Sequence, residues 1–152
     1  MYAMLIAGFS TAAMAQENGK EKDEKDEKKV TAPAAVNTAF KKDFPAATKS
    51  SWGMEDGNYE AEFKNKGAEQ SAVYDQSGHR LETETEIKTD ALPQAIRDYV
   101  KKNYVAYKLN EASEIVDDKG VVTYEAEIGK GKEKMDLIFD ASGNFLKTEK
   151  GD

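Results

Sequence analysis

The sequence predicts an α+β fold of two tandem repeats, each with one helix packed on a roughly four-stranded antiparallel meander sheet. Two observations predict it. A helix-forming segment followed by hairpin signals occurs twice along the chain, with matching residues. In both copies the strand segments alternate between apolar and charged residues, which is typical of antiparallel sheets with one buried face. The predicted organisation is repeat 1 at residues 32–88 and repeat 2 at residues 89–152. The pattern does not distinguish two repeats that pack against each other from two repeats that share a continuous sheet.

Residues 1–15 precede the predicted fold and carry no charged side chain. An apolar run is followed by small residues, and the A-x-A pattern of residues 13–15 predicts signal-peptide cleavage between Ala15 and Gln16. The apolar run is too short to span a bilayer, which takes about 20 residues. We therefore expect a periplasmic or secreted protein with no stable membrane anchor after cleavage.

Residues 16–31 are predicted to be a charged, disordered leader. Lysines alternate with acidic residues over residues 20–29, where no side chain is apolar. Such a stretch cannot bury a face against a core.

The duplication is visible in three places. Residues 33–44 match residues 93–104, and each segment starts with Pro and carries a Lys-Lys pair. The motif YEAEF at residues 59–63 matches YEAEI at residues 124–128, and a D-x-S-G turn follows both motifs. A repeated helix together with repeated hairpins indicates duplication of a whole unit.

Each repeat is predicted to begin with an amphipathic helix. Its apolar side chains recur at i, i+3, i+4 and i+8, which places them on one face. They are Val36, Ala39, Phe40 and Phe44 in the first helix, and Ile96, Tyr99, Val100 and Tyr104 in the second.

The strands are predicted from a period of two. Tyr59, Ala61 and Phe63 should face the core, whereas Glu60 and Glu62 should face solvent. The same alternation occurs in the other strand segments, and short turns containing Gly connect them as hairpins.

Glutamates on the predicted wet faces are the candidate partner-binding residues, together with the single tryptophan, Trp52. We expect the glutamates to be solvated, with a docked cationic partner as the alternative. Trp52 is expected to pack in the core or between the repeats, and it would be an interface anchor if exposed. The glutamates are Glu60, Glu62, Glu82, Glu84, Glu125 and Glu127.

No catalytic, metal-binding or cofactor-binding residue is predicted. The chain has no cysteine, and its only histidine, His79, follows a Ser-Gly turn, where we expect it to be a turn residue with a left-handed backbone. Asp75 begins the same turn without the further ligands of a calcium loop. The net charge of −7 argues against nucleic-acid binding, which needs a basic face. We therefore predict that the protein is not an enzyme.

The combination of Trp52, residues 59–63 (YEAEF), residues 124–126 (YEA) and the turn glycines Gly78 and Gly143 resembles the PepSY-like, β-lactamase-inhibitor-like family of secreted bacterial proteins. The resemblance implies tandem units, helical on one side, whose sheets form a concave surface that grips an enzyme in the inhibitor proteins. The chain differs from those inhibitors in having no cysteine.

The sequence thus predicts an exported, non-catalytic binding module that regulates or inhibits an envelope or extracellular protein. The alternatives are a periplasmic protein that binds a small ligand or a metal ion and, less favoured, a hydrolase that uses carboxylates.

Overall fold

The computed structural model describes residues 30–150 and contains two α-helices, a short 3₁₀ helix and eight strands. The predicted signal peptide, most of the predicted leader and the Ala15–Gln16 cleavage site lie outside the described residues. The elements are α1 (Ala34–Asp43), β1 (Ala47–Glu55), β2 (Asn58–Asn65), β3 (Ala68–Tyr74), β4 (Arg80–Ile87), the 3₁₀ helix (Thr89–Ala91), α2 (Gln94–Asn103), β5 (Lys108–Asp117), β6 (Val122–Lys130), β7 (Glu133–Asp140) and β8 (Phe145–Lys150).

All eight strands form one antiparallel sheet in chain order, from β1 at one edge to β8 at the other. The predicted fold class of two tandem helix-plus-four-strand repeats is therefore wrong, and the chain is mostly β. Strands β4 and β5 pair directly, with Glu84 opposite Ile115 and Ile87 opposite Ala112. Two separate sheets would each have left a row of backbone N–H and C=O groups unpaired at this point. Pairing β4 with β5 satisfies both rows.

Both helices form where the sequence predicts them and lie on the same face of the sheet. Pro33 and Pro93 stand at the N-caps, where a missing N–H costs least. Two core clusters follow, one under each helix. In the first, the Phe40 ring packs on Phe63 and on Trp52, with centroid distances of 4.9 and 5.4 Å.

The second cluster joins α2 to strands β5, β6 and β7. Its buried members are Leu92, Ile96, Val100, Ala112, Ala126, Ile128, Leu137 and Phe139. Because these side chains fill one face of the sheet, the opposite face is left to the side chains at the alternate positions.

The hairpin turn between β3 and β4 fixes the distance of α1 from the sheet. Gly78 has φ +88°, and a Cβ at this position would lie 2.9 Å from the carbonyl oxygen of Ala35 in α1. Glycine therefore permits both the left-handed backbone and the close approach of the helix.

Candidate functional site: the acidic face of the sheet

The candidate site is the sheet face opposite the helices, which we name the acidic face. The period of two places Glu60 and Glu62 here because Ala61 and Phe63 are buried on the helix side. Strand pairing adds the neighbours, because directly opposed residues share a face. Its carboxyl groups include Glu55, Glu60, Glu62, Glu82, Glu84, Glu125, Glu127, Asp136 and Glu149.

The expectation that these glutamates are solvated is wrong at the centre of the face. Glu84 is fully buried, and Glu125 and Glu127 are each only 8% exposed. Glu60, Glu62 and Glu82 are half-buried. The period of two determines which residues share a face of the sheet, whereas the exposure of those residues depends on what covers that face.

Apolar side chains are interleaved with the carboxyl groups. Val73 lies opposite both Glu60 and Glu82, Ile115 lies opposite Glu84, and Ile138 lies opposite Glu125. All three are at least 95% buried, although neither helix-side core includes them.

The sequence signal for this second buried face is a continuous apolar run rather than an alternating one. Residues 72–74 and residues 137–139 are runs of three consecutive apolar residues, which is typical of strands that are buried on both faces.

Both edge strands of the sheet contribute carboxyl groups to the acidic face. Burial raises the pKa of Glu55 on β1 to about 7, and the charges of Asp56 and of Glu149 on β8 raise it further. Charges from β1 and β8, which are the opposite edges of the sheet, therefore act on the same face.

Half-buried carboxyl groups stand beside one another on this face. Burial raises the pKa of Glu60 to about 8, and the charges of Glu55, Glu62 and Glu82 add to the shift. Burial also raises the pKa of Glu82 to about 7, with a further contribution from Glu55. Both shifts have the same sign because desolvation and like charge each disfavour the ionised form.

The two most buried glutamates are the most perturbed. Burial raises the pKa of Glu84 to about 8, the Ser113 hydroxyl offsets part of the shift, and the charge of Glu82 adds to it. Burial raises the pKa of Glu125 to about 10, and the charge of Glu84 is the next contribution. Within residues 30–150, neither carboxyl oxygen of Glu84 and not Oε2 of Glu125 has a partner in strict hydrogen-bonding geometry, although the Ser113 hydroxyl lies near enough to Glu84 to favour its ionised form.

Lysines on the acidic face lie towards its periphery and pair with other carboxylates. Lys134 Nζ lies 3.0 Å from Glu127 Oε2, and Asn110 Nδ2 donates to Glu127 Oε1 at 3.1 Å. Lys147 pairs with Glu149. Glu127 therefore has a partner from this chain at each of its carboxyl oxygens.

Trp52 does not join the predicted glutamates. It lies opposite Ala61 in the β1–β2 pairing, so it stands on the helix side, where its ring packs on Phe40. The interpretation of Trp52 as a packing residue therefore fits its position. The predicted partner-binding set is divided by the sheet, with the glutamates on one side and Trp52 on the other.

His79 lies in the exposed β3–β4 turn, and its Nε2 is 3.3 Å from Asp118 Oδ2 in the β5–β6 turn. The residue with a left-handed backbone in this turn is Gly78. The expectation that His79 has a left-handed backbone is therefore wrong, although His79 does lie in the turn. Asp75 Oδ1 accepts hydrogen bonds from the backbone N–H groups of Ser77 and His79 and so stabilises the turn. Within residues 30–150, no three His, Cys, Asp or Glu side chains are grouped so that they could hold a metal ion.

Comparison with solved structures gives the same fold. A DUF2874 family protein from Bacteroides uniformis ATCC 8492 matches with a TM-score of 0.71 and 21% identity, over 79% of this chain and 90% of that one. A BLIP-like protein from Bacteroides fragilis NCTC 9343 matches with a TM-score of 0.64 and 23% identity, over 80% of this chain and 87% of that one.

A third structure is described as a putative periplasmic protein from Bacteroides eggerthii DSM 20697. It matches with a TM-score of 0.72 and 18% identity, over 80% of this chain and 90% of that one. In the part of this chain that the structure describes, neither helix has the length and apolar character needed to cross a membrane.

A comparison with curated proteins gives no match. The family model described as "Putative beta-lactamase-inhibitor-like, PepSY-like" matches residues 57–147, which is more than half of the chain. That match includes β2 to β7 and therefore the centre of the acidic face. The chain thus belongs to the PepSY-like, β-lactamase-inhibitor-like family.

Proposed function

We propose that this chain is an exported, non-catalytic binding module that regulates or inhibits another envelope protein by gripping it with the acidic face. One observation carries the proposal. Half-buried Glu60, Glu62 and Glu82 share one sheet face with the fully buried Glu84, and within residues 30–150 neither carboxyl oxygen of Glu84 has a partner in hydrogen-bonding geometry. A buried polar group without a partner costs free energy, and a ligand that supplies donors would recover that cost.

The direction of the pKa shifts supports a binding role over carboxylate catalysis. A glycosidase needs one protonated acid beside one ionised carboxylate, so the pKa values of its two groups must move apart. On the acidic face the pKa values of Glu60, Glu82, Glu84 and Glu125 all rise. This favours a set of neutral acids, none of which is an obvious base or nucleophile.

Export is supported by the sequence of residues 1–15, which has the layout of a signal peptide. It is also supported by the similarity to a protein described as periplasmic. The metal-ion alternative loses support because the described residues do not bring three suitable ligands together.

A small-ligand role has one further candidate location. An open groove of about 510 Å³ lies along the ends of β7 and β8, beside Met135 and Glu149. Three lysines line it (Lys132, Lys134 and Lys150). Ligand pockets are usually enclosed and predominantly apolar, so this groove does not favour a small-molecule carrier.

Site-specific photo-crosslinking in the periplasm of the native host tests the proposal. A photoreactive residue at Glu62 on the acidic face should capture a discrete protein, whose yield saturates as the host's level of that protein rises. The same probe at Lys101, which is exposed on α2, is the matched control and should not capture it. Equal capture from both positions, or no saturable product from Glu62, would contradict the proposal.

A further inference from the structure

Lysines are concentrated at one end of the sheet. Because the strands are antiparallel and follow chain order, the β2–β3 and β6–β7 turns lie at one end, and the β1–β2, β3–β4, β5–β6 and β7–β8 turns lie at the other. The end with the β2–β3 and β6–β7 turns, together with the strand termini beside them, is named the lysine end. Its lysines are Lys49, Lys64, Lys66, Lys88, Lys108, Lys130, Lys132, Lys134 and Lys150.

The opposite end of the sheet carries the opposite charge. Its turns hold or adjoin Asp56, Asp75, Asp117, Asp118 and Asp140, with His79, Arg80 and Lys119 as basic residues. Strand β6 has nine residues, so the two ends are about 30 Å apart. That separation is several times the Debye length of about 8 Å at physiological salt. The net charge of −7 therefore does not determine what the lysine end attracts.

Exposed positive charge remains at the lysine end after its ion pairs are formed. Glu69 pairs with Lys64, and the Glu133 carboxylate accepts a hydrogen bond from a tyrosine hydroxyl. Within residues 30–150, none of the ion pairs involves Lys66, Lys108 or Lys132, and all three lysines are exposed. Such lysines are available to an anionic partner.

An exposed valine stands among these lysines. Val105 lies in the connection between α2 and β5 and is 83% exposed. This connection is held beside the β6–β7 turn, because Lys130 Nζ lies 5.8 Å from the centroid of the Tyr107 ring and Lys108 pairs with Gly129. The last turn of α2 adds Lys101 and Lys102. An apolar side chain exposed among lysines is typical of surfaces that bind the interface of an anionic membrane.

The first half of the chain presents a similar tip at the same end. The connection between α1 and β1 exposes Pro45 and Ala46, and Ala47 pairs with Asn65 beside the β2–β3 turn. Four strand spacings separate the β2–β3 turn from the β6–β7 turn, which is about 19 Å. An extended anionic surface can contact both tips at once, whereas a small anion contacts only one.

We propose that the lysine end docks reversibly on the anionic surface of a phospholipid bilayer, with Val105 in the headgroup region and the lysines on lipid phosphates. Each lysine close to such a surface strengthens binding by about fivefold, so the contact is weaker than a membrane anchor. The inference goes beyond the proposed function and does not depend on the acidic face, which stays free for a partner protein.

A fluorophore at Val105 tests the proposal directly. The chain has no cysteine, so one introduced cysteine can carry a dye whose emission reports the polarity around it. The chain purified from the periplasm of an expression host, labelled at Val105→Cys, is titrated with phosphatidylcholine vesicles that contain about 30% phosphatidylglycerol. Its emission should shift to shorter wavelength and saturate. The control is Val121→Cys, an exposed valine at the opposite end, which should show no shift.

Two lysine variants and the salt concentration test the electrostatic part. Lys132→Gln should weaken binding of the anionic vesicles about fivefold. Lys119→Gln makes the same charge change in an exposed turn of the opposite end and should leave binding unchanged. Raising the salt to about 0.5 M should weaken binding by about tenfold or more. Co-sedimentation of the unlabelled chain with vesicles measures these changes, and circular dichroism shows that each variant is folded.

Several outcomes would overturn the inference. They are equal shifts from the two labels, equal losses in Lys132→Gln and Lys119→Gln, and binding of pure phosphatidylcholine vesicles as tight as that of the anionic ones. A shift at Val105 that appears without vesicles as the protein concentration rises would indicate a second copy of the chain instead. Loss of vesicle binding on adding inorganic phosphate at constant ionic strength would indicate a site for a single anion.

Discussion

Glu84 on β4 and Glu125 on β6 face the same side of the sheet with only β5 between them, and both are at least nine-tenths buried. Burial raises the pKa of Glu125 to about 10, and the Glu84 charge raises it further. A pair of buried carboxyl groups of this kind costs stability unless it is protonated or given a cation.

The stability of the protein should decrease as the pH rises from about 5 to about 9. Folded pKa values of about 8 for Glu60 and Glu84 and about 10 for Glu125 lie above the ordinary value of 4.5. The folded state therefore holds more protons than the unfolded state in this range. The stabilisation is complete below about pH 4.5 and is lost as the pH passes through the folded values.

Differential scanning calorimetry at a series of pH values checks this trend. The melting temperature should fall by on the order of 10 °C across the range. A melting temperature that is constant or rises with pH would show that these carboxyl groups are ionised in the folded protein.

Replacing Glu84 with Gln should stabilise the protein at high pH. The substitution keeps the shape and removes a charge that is expensive to bury, so at about pH 9 the free energy of unfolding should rise by about 2 kcal/mol. At about pH 5, where Glu84 is already neutral, the change should be under about 0.5 kcal/mol. Glu86→Gln, at an exposed position of the same strand, is the control and should have little effect at either pH, as measured by urea denaturation.

Tyr74→Phe should destabilise the first core by about 1 kcal/mol. The buried Tyr74 hydroxyl donates to Asp43 Oδ2 at 3.1 Å, and Arg80 pairs with the same oxygen at 3.3 Å. Asp43 keeps its pairing with Arg80 in the variant, which limits the loss. The control is Tyr124→Phe, whose hydroxyl contacts Glu114 at 3.2 Å in a less buried setting. An equal loss in both variants, measured by urea denaturation, would contradict this account of the Tyr74 contact.

Gly78→Ala should cost more than Gly120→Ala. Both glycines have positive φ, but a Cβ on Gly78 would lie 2.9 Å from the Ala35 carbonyl oxygen, whereas one on Gly120 meets nothing within 4 Å. We expect a loss of about 1 kcal/mol for Gly120→Ala from the backbone alone and at least about 2 kcal/mol for Gly78→Ala. Thermal unfolding of the two variants measures the difference, and equal losses would show that α1 is not held against this turn.

Local sequence patterns predicted the helices and the face of the sheet on which each strand residue lies, because both depend on short-range periodicity. Val36 and Phe40 in α1 and Ile96 and Val100 in α2 are buried as their spacing predicts. The pairing of β4 with β5 was not predictable in the same way. It joins strands on either side of a helix, and a period of two does not show which strand edges meet.

The burial of the glutamates was not predictable from the sequence for a related reason. Alternation places Glu84 on the face opposite the helices, but it does not show that this residue is buried there. The burial of this face is shown by three apolar residues on it, Val73, Ile115 and Ile138. Each of them is a residue type that is common in any strand, so none of them predicts a second buried face by itself.

The central claim is that the acidic face holds buried carboxyl groups that stay neutral at neutral pH. Carbon-13 NMR of the glutamate side-chain carboxyl groups, assigned with Glu84→Gln and Glu125→Gln, tests it most directly. The account predicts that the Glu84 signal titrates with a midpoint near pH 8 and that the Glu125 signal titrates with a midpoint near pH 10. Midpoints near the ordinary value of 4.5 for both residues would contradict it.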